Sequence, residues 1–296
     1  MSKERPVDRL KRPYVLLFLT LAPLFWAGNY VLGEYVVEEM PPLAMTFIRW
    51  LIAIVLLIPL AQIIEKPDWK SVLKAWKLLT LMALLGIIGY NFLLYEALRH
   101  TTPVNASLVN SISPILIVIL STFLLKEKLT KWNLSGLVVS LSGVLLVLTN
   151  GDLQNLLQVQ FNAGDVIMLM AVICWSIYSI LGRRMTDIPP IAATTVSVVI
   201  GLVMILPIIL YQGLPASLST AGMAGIVYMG LFPSVGAFVF WNVSLRYIDA
   251  SKVGIFLYLI PVFTAIISVL QGKPISLIQA AGGILVFIGV YLNSRK

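Results

Sequence analysis

The chain has 296 residues, of which 59% are hydrophobic and 11% charged, and it carries a net charge of +8. A soluble domain has about a quarter charged residues, so this composition excludes a soluble enzyme and describes a polytopic membrane protein. The positive balance then belongs to cytoplasmic loops, and no nucleic-acid partner is expected.

The chain opens on a basic tail, residues 1–13, with Lys3, Arg5, Arg9, Lys11 and Arg12. The apolar run behind it is longer than a signal-peptide core and lacks a small-x-small cleavage site. It reads as a first membrane helix that stays. From there apolar runs recur between short polar breaks, each long enough to cross a core of ~30 Å. Ten helices are predicted: 14–35, 43–63, 77–98, 104–125, 132–149, 164–184, 190–211, 222–245, 251–270 and 275–292. With the tail in the cytoplasm, the inner segments hold 18 Lys and Arg and the outer loops two, Arg99 and Lys273. This split puts both termini, the last residues 293–296 included, on the cytoplasmic side of a plasma-membrane protein. Cys174 is the only cysteine, so no internal disulfide forms. His100 is the only histidine and has no partners at metal spacing, so neither a metal nor another cofactor is expected.

The chain also repeats at about half its length. "PPLAMT" at 41 returns as "PPIAAT" at 189, Pro59 as Pro207, and "ALRH" before helix 4 as "SLRY" before helix 9. Trp26 and Gly33 are spaced like Trp175 and Gly182, Pro114 is answered by Pro261, and Gly136 and Gly143 by Gly282 and Gly289. Each half holds an odd number of helices. The second half, 164–292, therefore inserts upside down relative to the first, 14–149, with 150–163 as an outer linker. The fold class expected is an all-α membrane protein of ten transmembrane helices in two inverted five-helix repeats. Inverted repeats build two interconvertible, oppositely facing states, which points to a secondary transporter.

The Trp and Leu-Gly pairs of helices 1 and 6, "YEALRHTTPVNASLVNSISPIL", "SLRYIDASKVGIFLYLIPVF", "KEKLT" and the Gly136–Gly143 spacing resemble the drug/metabolite transporter superfamily. The closest branch is its ten-helix EamA type, and the resemblance covers residues 14–292. It implies a ten-helix basket around a central cavity lined by helices 1, 3, 4, 6, 8 and 9, working by alternating access. It also implies export of amino acids or other small neutral or zwitterionic metabolites. An arginine early in helix 2 is common in that family and is matched by Arg49. Where the family often has Gly-Glu-Pro, this chain has "GKP" at 272–274.

Polar and aromatic residues at mid-membrane depth are the candidate substrate site. Trp26 and Asn29 share a face of helix 1 at i and i+3, and their repeat partners Trp175 and Tyr178 do the same in helix 6. Each pair offers a flat apolar wall and a hydrogen-bonding tip. Helix 3 adds Asn91 and Tyr95, and Asn242 of helix 8 is the repeat partner of Tyr95. Asn110 and Ser111 lie just before Pro114, and Tyr258 just before Pro261; both prolines suit a gate or a fixed kink. For all these residues interhelical packing is the competing reading. The paired glycines of helices 5 and 10 read as close-packing points, and Lys126, Lys128, Lys131, Arg183 and Arg184 as topology determinants.

Other functions compete. A cation-drug/proton antiporter needs a carboxylate deep in the bilayer, yet Glu34 and Glu96 lie near outer helix ends. A lipid scramblase or a non-transporting scaffold would be separated by flux assay, and proton coupling stays open. Arg49 sits in "FIRW", six residues in from Leu43 and ~9 Å deep at 1.5 Å per residue. A charge there costs at least ~2.5–3.5 kcal/mol on insertion scales. A partner is expected in Glu96 or Glu34, as a latch or as a permanent ion pair; contact with a substrate carboxylate is the third reading.

Overall fold

The computed structural model describes residues 12–149, 151–152, 162–215, 217–270, 272 and 276–294. Among these residues the protein is helical, without a strand. Among the described residues nine helices are long and apolar enough to cross a membrane: α1 (Arg12–Glu39), α2 (Pro42–Glu65), α3 (Trp76–Leu98), α4 (Asn105–Leu125), α5 (Lys131–Thr149), α6 (Ala163–Arg184), α7 (Pro190–Gln212), α8 (Thr220–Tyr247) and α9 (Ala250–Ile267). A tenth apolar helix, α10 (Leu277–Asn293), has 17 residues. The basic tail up to Lys11, most of the 150–163 linker, and Lys273 lie outside the described residues. The largest departure from the predicted bounds is α1, which continues a full turn past residue 35. Glu34 is thus inside a helix and does not end one.

Local chemistry sets the helix starts. Proline stands at the first turn of both α2 and α7, where its missing N–H is no loss. Asn162 and Asp165 form a reciprocal capping box on α6, and Ser276 and Gln279 form one on α10. Within the helices, proline acts where it was expected to. Residues 111–112 break α4 just before Pro114, and a 3₁₀ segment, Ile255–Tyr258, precedes Pro261 in α9. A missing N–H frees the carbonyl four residues back, and the chain tightens or turns there. Helices α3 and α8 carry π-helical stretches at Ala83–Gly89 and Gly230–Ala237, which are repeat-related.

Helices related by the repeat pack against each other antiparallel. Along α5 and α10, a Cβ added to Gly143 would stand 2.5 Å from the Gly282 carbonyl, and one on Gly136 2.6 Å from that of Gly289. The backbones touch there, which is what the glycine spacing predicts. Helices α2 and α7 are tied by the Glu65 carboxylate, which accepts from the amides of Ile191 (3.0 Å) and Ala192 (2.8 Å) at the start of α7. Helices α4 and α9 are tied the same way: Glu127, just beyond α4, accepts from the amides of Ala250 (2.8 Å) and Ser251 (3.0 Å) and from the Ser251 hydroxyl (2.8 Å). Both ties lie on the face that carries the ends of α2, α4, α6 and α8 and most of the described lysines and arginines. On the other face Glu39 takes the amide (2.7 Å) and hydroxyl (2.6 Å) of Ser219, the cap of α8.

Arg183 and Arg184 tie helix ends together. Arg183 donates to the carbonyls of Leu245 (3.0 Å) and Arg246 (3.1 Å) and pairs with Asp249 (3.2 Å) and Glu127 (3.6 Å). Arg184 donates to the Leu124 carbonyl at 2.8 Å. The end of α6 is thereby bound to the ends of α4 and α8.

Candidate functional site

The centre of the bundle is an aromatic cluster shared between the halves. Trp26 and Trp175, partners in the repeat, meet edge to face with ring centroids 5.0 Å apart. Trp241 packs on both, at 5.4 and 5.6 Å, and Phe238 and Tyr90 close around Trp175 at 5.3 and 5.0 Å. Trp26 is 4% exposed and Trp175 2%. The indole N–H groups of Trp26 and Trp175 are nevertheless without an acceptor, whereas that of Trp241 donates to Ser179 (3.2 Å) and that of Trp50 to the Ile87 carbonyl (3.0 Å). A buried N–H without a partner costs ~1–3 kcal/mol. Two of them, placed by a repeat at one point, suit a ligand that supplies the acceptor.

On either side of the indoles the same hydrogen bond occurs twice with its partners exchanged. In the first half the Tyr95 hydroxyl donates to Asn29 Oδ1 at 2.9 Å. In the second, Asn242 Nδ2 donates to the Tyr178 hydroxyl at 2.7 Å and to Thr194 at 3.0 Å, leaving Asn242 Oδ1 unpaired. A small cleft lined by Met82, Gly182, Thr194, Asn242 and Arg246 leads to this second pair from the basic face.

Arg49 completes the first-half site and corrects the ion-pair expectation. It is fully buried. Its Nε donates to Ser234 (2.7 Å), and its Nη1 to Asn91 Oδ1 (2.7 Å), to the Tyr95 hydroxyl and, at 3.4 Å, to Asn29 Oδ1. The guanidinium carbon lies 5.4 Å from the Trp50 ring and 5.7 Å from that of Tyr95, within cation–π reach. Neither Glu96 nor Glu34 is among its partners. Glu96 pairs with Arg99 (3.3 Å) and His100 (3.2 Å), three and four residues on. The reason is helical phase: Tyr95 faces Arg49, and its neighbour Glu96 is turned about 100° away onto the face shared with Arg99 and His100.

Of the other predicted residues, Asn91 braces the π-helical stretch of α3 by donating to the carbonyls of Gly86 (2.8 Å) and Ile87 (3.0 Å). Tyr258 is buried with its hydroxyl unpaired. Asn110 and Ser111 turn inward on α4 itself: Ser111 donates to the Ser107 carbonyl (2.9 Å), and Asn110 Oδ1 accepts from Ser113 (3.3 Å). Pro114 and Pro261 mark the breaks of α4 and α9 and make no polar contact with the cluster. Sequence reasoning missed Ser234, Trp241, Phe238 and Trp50. Ser234 had a signal, since it follows Pro233 inside an apolar run and such a pair distorts a helix.

The model of the EamA-like transporter family matches the chain twice, over residues 13–149 and 162–295. The chain is 32% identical over 289 residues to the uncharacterized transporter YyaM of Bacillus subtilis, covering 96% of this chain and 95% of the relative. It is 30% identical to an uncharacterized transporter of Archaeoglobus fulgidus, covering 95% and 97%. Over 187 residues it is 26% identical to the aromatic amino acid exporter YddG of Ancylobacter novellus, covering 63% and 65%. A crystal structure superposes with a TM-score of 0.78 at 21% identity, covering 96% of this chain and 98% of that one, a likeness of fold. With both halves matched and relatives alike from end to end, the chain belongs to the EamA-like transporter family and is a multi-pass protein of the cell membrane.

Proposed function

We propose that the chain exports amino acids or other small zwitterionic metabolites, by alternating access of two inverted halves, 14–149 and 164–292, with both termini in the cytoplasm. The observation that carries the reading is the pair of buried, acceptor-less indole N–H groups of Trp26 and Trp175 where the halves meet. Flat rings with unused donors match a small solute that has an apolar body and polar ends. The excess of Lys and Arg on one face supports the orientation. The printed name of the Ancylobacter novellus relative, an aromatic amino acid exporter, supports both the solute class and the direction.

The antiporter alternative gains nothing from the site. The buried carboxylates of Glu65 and Asp165 are engaged at helix N-termini, where Asp165 accepts from the Asn162 amide and the Thr101 hydroxyl, away from the indoles. The deciding experiment is counterflow in proteoliposomes with the twenty amino acids, beside a fluorescent-lipid scrambling assay on the same vesicles. Saturable amino-acid flux is expected. Lipid scrambling without solute flux would overturn the reading.

A further inference from the structure

Among the described residues Arg49 is a buried cation with no anion beside it. Guanidinium has five N–H donors. The donors of Arg49 Nε and Nη1 are taken up by Ser234, Asn91, Tyr95 and Asn29, every one of them neutral, and Nη2 has no partner among the described residues. Arginine retained for packing alone is paired or saturated, because an uncompensated buried charge is costly. Nor does the shared frame need it. The repeat counterpart of Arg49 is Ser197, equally buried and itself without a hydrogen-bond partner. The guanidinium is held in position all the same, by π-helical α8 through Ser234, by α3 through Asn91 and Tyr95, and by two ring faces. The result is a fixed positive group with one free edge.

We infer that Arg49 Nη2 is the docking point for the carboxylate of the transported solute. The substrate class is then small acids and amino acids with a free carboxylate, to the exclusion of their amides, esters and amines. A carboxylate supplies what the guanidinium lacks, an acceptor for both Nη2 hydrogens and a neutralising charge, and such charge-assisted bonds are the strong ones in a dry site. The geometry sets the size as well. Asn29, at the guanidinium, and Trp26, at the indole pair, are three residues apart on α1, a rise of about 4.5 Å. One amino-acid-sized solute can therefore place its carboxylate at Arg49 and its side chain on the rings. The inference rests on the transporter reading and narrows it.

The test is binding to the purified full-length chain in detergent, followed by thermal shift and titration. The probes are the twenty amino acids, together with phenylalaninamide, tryptophan methyl ester and phenethylamine as carboxylate-free analogues. Wild type should bind at least one free acid, and at least tenfold more tightly than the matching analogue. Arg49→Lys keeps the charge and loses the planar fork. It should reduce that preference by tenfold or more while its ligand-free melting temperature stays within a few degrees of wild type. If Arg49→Lys fails to fold, the acid-against-analogue comparison on wild type still decides. Equal affinity for acid and analogue, or no carboxylate bound from the whole set, overturns the inference. Flux confined to carboxylate-free solutes would overturn it too, and would leave the transporter reading in place. Scrambling without any solute flux would remove that reading as well.

Discussion

Replacing Trp26 by Phe separates a substrate contact from a packing contact. The change keeps a ring in the cluster, deletes the N–H and removes part of a buried side chain. Truncation on that scale costs about 1–2 kcal/mol in a core. Against it stands the removal of a buried donor with no acceptor, worth about 1–3 kcal/mol in the other direction. Trp26→Phe should thus leave stability within about 1 kcal/mol of wild type. Trp241→Phe is the control, because its indole donates to Ser179 at 3.2 Å. It loses similar volume and also a made hydrogen bond, and gains no relief of an unpaired donor, so it should be less stable than Trp26→Phe by about 2–4 kcal/mol. At about 2–4 °C per kcal/mol this is a gap of several degrees in a detergent melt. Function should invert the order. If the Trp26 donor is satisfied only by substrate, its loss is worth about 1.4 kcal/mol, and flux per folded molecule in Trp26→Phe falls about tenfold. Trp175→Phe should behave like Trp26→Phe. Equal melting loss in Trp26→Phe and Trp241→Phe, with unchanged flux per molecule in the first, would refute the reasoning and return the indoles to packing.

The remaining predictions concern the frame. Gly143→Val places a Cβ 2.5 Å from the Gly282 carbonyl; it should destabilise the fold by at least ~1–3 kcal/mol, read as a lower melting temperature and lower membrane abundance with flux per folded molecule retained. Glu127→Ala removes three hydrogen bonds to the start of α9 and the pairing with Arg183, so a loss of about 2–3 kcal/mol is expected, and an unchanged melt would contradict the tie. In a Cys174→Ser background, single cysteines at Glu39 and Gly213 should react with an impermeant thiol reagent on intact cells, and those at Lys70 and Lys128 should not; reversed labelling would invert the orientation.

Much of the frame was legible because membranes and repeats write periodic signals. Runs of apolar residues long enough for the bilayer located the helices, and the α5–α10 contact was visible as four glycines at matched spacing. Side-chain partnerships were less legible. The aromatic pair Trp26–Trp175 could be named because the repeat aligns the two residues at mid-depth. The partner of Arg49 could not, since charge pairing was weighed by depth alone and helical phase separates Tyr95 from Glu96. Ser234 was hidden for a related reason. A π-helical stretch shifts the register of α8 by one residue, so a face assigned from regular 3.6-residue turns does not include it. Asn110 and Ser111 look like cavity residues by polarity and depth, but α4 breaks beside them and their side chains bond locally.

The repeat copies the scaffold and withholds the chemistry. Between the halves, Trp26 matches Trp175, and the Asn29–Tyr95 bond matches Tyr178–Asn242, so a two-fold frame surrounds the centre. Three positions break it. Arg49 faces Ser197, Asn91 faces Phe238, and Ser234 faces Ile87. All three departures put polarity on the side of Arg49 and apolar or small groups on the other. Under the proposed reading, a solute at the centre would meet the guanidinium of Arg49 and the rings of Phe238, Trp241 and Trp175. Under the proposed alternating access, Arg49 itself stays with the first half, whereas its Ser234 contact crosses to the second. This predicts that moving the arginine across the frame, with Arg49→Ser and Ser197→Arg together, lowers the melting temperature and abolishes carboxylate binding in the titration, because Phe238 and Ile87 stand where Asn91 and Ser234 hold the guanidinium; a swapped chain that folds and binds the acid as wild type does would refute it.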